Sequence, residues 1–239
     1  MVEWKRYQED TARLFRELGC KVETDVEVSG ARGKHLVDVS VVFSRFGLHQ
    51  HWIVECKFWK RAIPKEKILT LKSIVEDVGA DRGILVSESG HQSGALAAAR
   101  HTNITLSSLD GLREAARAEL LSLGLLEIQR RAGRMKQYVF SLWTTERHGS
   151  GFSTSKVGLG IDGALATKTG GTISIIGTGA EQALSGTFPV PLRFLDDGNT
   201  LIQAKDLDEF VVSASEILDN MDVYVAELKQ QAESSRSNL

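Results

Sequence analysis

Asp38, Glu55 and Lys57 lie in two segments rich in β-branched and aromatic residues, His35–Phe43 and His51–Lys60, separated by Ser44-Arg45-Phe46-Gly47-Leu48. A glycine turn between two such runs predicts a β-hairpin. If the hairpin folds symmetrically about Phe46-Gly47, Asp38 falls opposite Glu55, because the two are equidistant from that centre. Opposed side chains on one face approach within about 5 Å, and strand alternation puts Lys57 on the face of Glu55. Two carboxylates this close repel each other unless something positive lies between them. A hard divalent cation meets that need, and magnesium commonly takes one or two carboxylates with water and substrate phosphate. The lysine beside them would complete a site for cutting phosphodiesters. The same three residues could also form a cross-strand ion network on a solvated sheet face. Glu3-Trp4-Lys5 and Glu227-Leu228-Lys229 repeat the Glu-x-Lys spacing in helix-like stretches, so strand context and the opposed aspartate are what set Glu55-Cys56-Lys57 apart.

The elements that must position these groups are legible on either side. Trp4, Tyr7, Leu14, Phe15 and Leu18 recur at helical spacing and Gly19 supplies a stop, predicting a helix over 3–18. Lys21–Val28 reads as a strand and Ser29–Gly33 as a loop. His35, three residues before Asp38, is expected to make a structural hydrogen bond. Residues 65–78 carry Ile68, Leu71, Ile74, Val75 and Val78 at core spacing for a helix. Arg82–Ser87 and Asn103–Leu106 read as short buried strands around an alanine-rich helix over 93–100. This alternation argues for an α/β domain with helices on the faces of its sheet.

Lys57, Lys60, Arg61, Lys65 and Lys67 follow the second strand, opposed in that stretch only by Glu66. Such a cluster suits contacts to a DNA backbone, which position without reading sequence, although basic runs also occur as plain solvated surface. Gln92 and Ser93 open a helix after a strand, where amides could hold a phosphate or simply be capped. Trp59 could stack on a base, but a core position suits a tryptophan at a strand end better.

These segments resemble the PD-(D/E)XK nucleases, and more closely their Mrr-like restriction endonuclease branch. The resemblance is carried by Tyr7-Gln8-Glu9, Leu18-Gly19-Cys20, Gly33–Val39 with Asp38, Val54-Glu55-Cys56-Lys57, Gly79–Ser87 and Gln92-Ser93-Gly94-Ala95, in that order over about residues 1–112. It implies a restriction-endonuclease-like mixed sheet flanked by helices, acting on double-stranded DNA in restriction of foreign or modified DNA. It also implies Mg2+, with Mn2+ as a substitute, held by Asp38, Glu55 and the Cys56 backbone carbonyl. Lys57 would assist the chemistry, and cleavage would leave a 5′-phosphate and a 3′-hydroxyl. A first-helix acid completes the site in this family; Glu9 is the expected residue, and aligning on Leu18-Gly19 would put Gln8 there instead. The same layout fits a Holliday-junction resolvase, and a catalytically silent DNA-binding module could share the fold.

The net charge of −2 gives no global attraction to nucleic acid, so DNA contact must come from local patches. Two cysteines and no zinc-like Cys/His spacing fit a reducing cytoplasm, and no apolar run approaches a membrane span. Leu109–Leu126 is helix-like with Gly124 as a break, and residues 113–136 read as a helical connector with a domain boundary near Gly133. Residues 137–205 read as a smaller β-rich region: Tyr138–Trp143, Thr172–Ile176 and Phe188–Phe194 as strands, and Gly158-x-Gly160, Gly170-Gly171 and Gly177-x-Gly179 as turns. Residues 206–239 read as a C-terminal amphipathic helix and polar tail whose apolar stripe and acids suit packing on its own chain, a twin subunit in a homodimer, or a protein partner.

Overall fold

A computed structural model describes residues 2–143, 145–147, 153–155, 160–193 and 201–237. The chain divides into two compact units, Met1–Leu120 and Leu121–Leu239. The division falls inside one helix, α4 (Leu109–Ser141), which runs through both Gly124 and Gly133 without a break.

The first unit is built on five strands in the spatial order β1 (Lys21–Ser29), β2 (Lys34–Arg45), β3 (Leu48–Cys56), β4 (Arg82–Val86), β5 (Ile104–Ser107). The first three pair antiparallel and the last three parallel. Parallel neighbours need crossovers, supplied by α2 (Lys65–Val78) and α3 (Ser93–Ala99). Alternation along the strands feeds two cores. Trp52, Val54, Ile84 and Val86 join Tyr7, Leu14 and Phe15 of α1 (Glu3–Glu17) on one face, while Ile53 and Leu85 join Ile68, Leu71, Val75 and Ala95 of α2 and α3 on the other. Trp59 lies half-buried against this second core, and the predicted stripe residue Trp4 is exposed instead.

The β2–β3 register is the symmetric one: Arg45 pairs with Leu48 and Val39 with Val54. The turn is only Phe46-Gly47, both at positive φ (54° and 77°), as a type I′ hairpin turn demands. The second strand ends at Cys56 rather than Lys60, since Lys57–Lys60 leave the sheet after Lys57 N–H donates to the Val86 carbonyl.

Asp77 of α2 fastens the β1–β2 loop. Its side chain, 2% exposed, accepts from His35 Nε2 (2.7 Å) and from Arg32 Nε (2.7 Å) and N (3.0 Å). His35 thus makes the structural bond expected of it. A Cβ on Gly30 would lie 2.2 Å from Asp77 Oδ2, so only glycine lets the loop approach this closely. These donors hold the Asp77 carboxyl down from its ordinary 3.8 to about 2, His35 contributing most. A depressed carboxyl stabilises the fold above its unfolded value and loses that contribution as pH falls through the folded one. Urea unfolding should find wild type more stable than Asp77→Asn at neutral pH, with the gap closing between about pH 4 and pH 2; a constant gap across that window would refute the clamp. Gly83 of β4 is equally confined, a Cβ meeting Ile104 Cδ1 at 2.6 Å and Val75 Cγ2 at 2.8 Å. Gly83→Ala should destabilise by about 1–3 kcal/mol through overpacking, measured as a lower denaturation midpoint.

The second unit departs from the β-rich reading. Tyr138–Ser141 end α4, and Thr172–Ile176 lie inside α5 (Gly163–Leu184), together with Gly170, Gly171, Gly177 and Gly179. Short pairs remain: β6 (Thr145–Arg147) with β7 (Ser153–Ser155), and β8 (Val190–Arg193) with β9 (Leu201–Ala204). Gly158, Phe194, Asp196 and Asp197 lie outside the described residues. A helix forms over a β-branched, glycine-containing run because burial outweighs weak propensity. Ile173 and Ile176 are fully buried, Asp162 caps the N-terminus by accepting from Ala164 N (2.9 Å) and Leu165 N (3.0 Å), and a Cβ on Gly179 would meet Val190 at 3.0 Å. The C-terminal helix, α6 (Leu207–Ser237), buries Phe210, Ile217, Leu218, Met221 and Leu228 in this unit's own core, and Arg131 pairs with Asp219 (2.6 Å) and Asp222.

Candidate active site

Where the pairing of β2 with β3 ends away from their turn, three charged side chains meet. Asp38 accepts from Cys56 N–H through Oδ2 (2.8 Å), which fixes its carboxylate against the third strand. The Lys57 ammonium bonds Glu55 Oε1 and lies 3.9 Å from Asp38 Oδ2. All three are partly buried, with side-chain exposures of 29%, 23% and 17% for Asp38, Glu55 and Lys57. Burial, and after it the Asp38 carboxylate, pushes the Glu55 carboxyl up, against the pull of Lys57. Burial also pushes the Cys56 thiol up to about 12.

The first helix brings Gln8 to this end, not Glu9. Gln8, 1% exposed, donates from Nε2 to the Asp38 carbonyl oxygen (2.7 Å) and to Asp25 Oδ1 (3.1 Å). Glu9 turns to Arg16 instead, at 2.6 Å. Helix phase explains the difference. Gln8 shares the stripe of Ala12 and Phe15, both buried, whereas Glu9 lies one residue past it. Sequence reasoning did not single out Asp25, which accepts from Gln8 here.

Beyond Lys57, the chain forms a loop tied to the segment after β4. Ser89 Oγ donates to the Arg61 carbonyl (2.7 Å), Ile63 N–H to Gly90 O (2.9 Å), and Gln92 N–H to Ile63 O (3.0 Å). Lys60, Arg61 and Lys65 are exposed and Lys67 is half-buried, with Arg61 and Lys67 over the Trp59 ring at 5.5 and 5.7 Å. Gln92 and Ser93 are exposed at the start of α3, and the Gln92 amide reaches Ala62 O (3.3 Å) rather than capping the helix. Phe58 stands 46% exposed, its ring 5.5 Å from Tyr7. The tyrosine donates to Glu88 Oε1 (2.8 Å), and burial raises its phenol strongly.

Residues 1–116 match the Mrr_cat family model, described as restriction endonuclease, over just under half of the chain. This region is similar to the Mrr-type restriction endonuclease family. No curated protein matches the chain. Among solved structures, it is similar to a protein of unknown function, AF1548, at 18% identity over 76% of this chain and 99% of that one (TM-score 0.39). It is also similar to the DNA modification-dependent restriction endonuclease AspBHI, at 14% over 48% of this chain and 35% of that one (TM-score 0.34). A third similarity is to the MspJI restriction endonuclease in complex with a 27-mer oligonucleotide, at 14% over 51% and 32% (TM-score 0.31).

Restriction endonucleases of this family generally work with divalent metal ions. The residues present fit such an ion by donor chemistry, since two carboxylates and a peptide carbonyl are hard oxygen ligands. Among the described residues no group of three or more His, Cys, Asp or Glu could hold a metal, so backbone and solvent oxygens would have to complete the shell. A further acceptor stands close by: Gln8 Oε1 is buried without a hydrogen-bond partner.

Proposed function

We propose that the protein is a magnesium-dependent DNA endonuclease that hydrolyses phosphodiester bonds in the restriction of foreign or modified DNA. The observation that carries this reading is the meeting of Asp38, Glu55 and Lys57 at one end of the hairpin, with Lys57 held by both acids. Asp38, Glu55 and the Cys56 carbonyl would hold the ion, with Mn2+ able to substitute. When bound, a divalent ion supplies Lewis-acid polarisation of the phosphate and a more acidic water. Lys57 then orients the attacking water and offsets the negative charge that develops on the phosphorus oxygens. Cleavage would leave a 5′-phosphate and a 3′-hydroxyl. Lys60, Arg61, Lys65 and Lys67 would take the DNA backbone as phosphate contacts, with Gln92 and Ser93 at the start of α3 beside them.

One such site cuts one strand, so breaking a duplex requires two copies or two encounters. Supercoiled plasmid, incubated with the protein and magnesium or chelator, tests the reading. Conversion to nicked and linear forms in magnesium alone is expected. Equal conversion in chelator would refute the metal requirement.

A further inference from the structure

Two neighbouring strands change face at a single residue pair. Val22 packs into the core beneath α1, while Val26 and Val28, an even number of residues on, pack into the opposite core. On β2, Val39 and Val41 share a core with Val22, but Val37 has crossed to the other. An undisturbed strand keeps residues of equal parity on one face. The interruption is the pair Asp25 and Asp38: the ladder runs through Thr24–Val39 and Val26–Val37 and omits the position between them. Asp25 stands there in the left-handed region, at φ 50°, which is uncommon for a residue other than glycine. Backbone held in such a conformation needs surroundings that fix it and clusters at functional sites.

The two aspartates are joined through Gln8. The Gln8 amide nitrogen donates to Asp25 Oδ1 and to the Asp38 carbonyl, the other Asp25 oxygen is bonded by Lys5, and the remaining amide atom, Gln8 Oε1, is buried without a partner. With both acceptors on Nε2, the amide cannot flip without facing oxygen against oxygen. Asp25, together with the Asp38 carbonyl, thereby decides which end of Gln8 is free.

We infer that Asp25 is a positioning residue of the ion site: its carboxylate, anchored by Lys5, holds the Gln8 amide so that Oε1 remains an acceptor for a divalent cation or its hydration shell beside Asp38. This rests on the endonuclease reading and adds a residue to it. Asp25 touches neither substrate nor ion; it acts through Gln8, as outer-shell carboxylates act through the ligands they orient.

Mn2+ binding to the full chain, followed by electron paramagnetic resonance without DNA, tests the inference. Asp25→Gly removes the carboxylate and suits the left-handed backbone, so folding should be retained while Mn2+ affinity falls by about tenfold or more. Asp25→Asn keeps an oxygen acceptor and should bind far closer to wild type. Adding Asp25→Gly to Gln8→Ala should weaken binding no further than Gln8→Ala alone, because one residue works through the other. Additive losses, or wild-type affinity in Asp25→Gly, would overturn the inference. Should Asp25→Gly fail to fold, Asp25→Ser takes its place in the same cycle. Asp38→Ala separates the two readings: if it binds Mn2+ as wild type does, or wild type binds none, the endonuclease site itself is refuted.

Discussion

Plasmid nicking in magnesium is expected to fall by more than about a hundredfold in both Asp38→Ala and Lys57→Ala, because groups that act on one transition state lose most of their effect when any one is removed. The two losses differ in origin. Asp38 accepts from Cys56 N–H and stands 3.9 Å from the Lys57 ammonium, so on the proposed reading its removal takes away an ion ligand and leaves the lysine held by Glu55 alone. Lys57→Ala leaves both carboxylates in place, so Mn2+ should still bind while cleavage disappears. Combining the substitutions should cost far less than the product of the separate losses. Cleavage surviving both substitutions would place the chemistry elsewhere, or in a contaminant. Silence of the wild type on unmodified and methylated plasmid alike would favour a binding module on the same fold.

The second large effect is expected at Ile53, fully buried on β3 two residues before Glu55. Ile53→Ala should destabilise the protein by about 2–5 kcal/mol, from lost burial and the cavity left among Leu71, Val75 and Leu85. Urea denaturation would show this as a lower midpoint with an unchanged slope. A loss under about 1 kcal/mol would mean that the site collapses around the smaller side chain. Exposed Leu36, 74% accessible one strand over, serves as the control and should tolerate alanine almost without effect.

The first unit was legible because its signals are local. The helix expected over residues 65–78 has the bounds of α2, with Ile68, Leu71 and Val75 of its stripe buried, and the glycine turn set the register that brings Asp38 to Glu55. Gln8 against Glu9 was a question of helix phase, answerable in principle from Ala12 and Phe15 but obscured by a stripe drawn through Trp4, which is exposed. Asp25 left no trace in the sequence, since a single left-handed residue inside a strand has no spacing signature. The second unit misled for another reason. Thr172–Ile176 has a strand's composition, and only the burial of Ile173 and Ile176 among the residues of α4 and α6 in its own core makes it helical. Gly124 marks a close approach, a Cβ there meeting Val211 Cγ1 at 2.9 Å, rather than a helix end.

The Phe46-Gly47 turn has a bearing on how this domain can vary. Pairing runs without a bulge from Arg45–Leu48 to Val39–Val54, so the acids stand at the far end of an unbroken ruler. Removing or adding residues in matched pairs, one from each arm next to the tip, would change the hairpin's reach and leave Asp38 facing Glu55. A single insertion in either arm would invert every side chain beyond it and take the acids apart. Relatives of this domain can therefore remodel the outer tip freely in length, provided that they do so symmetrically.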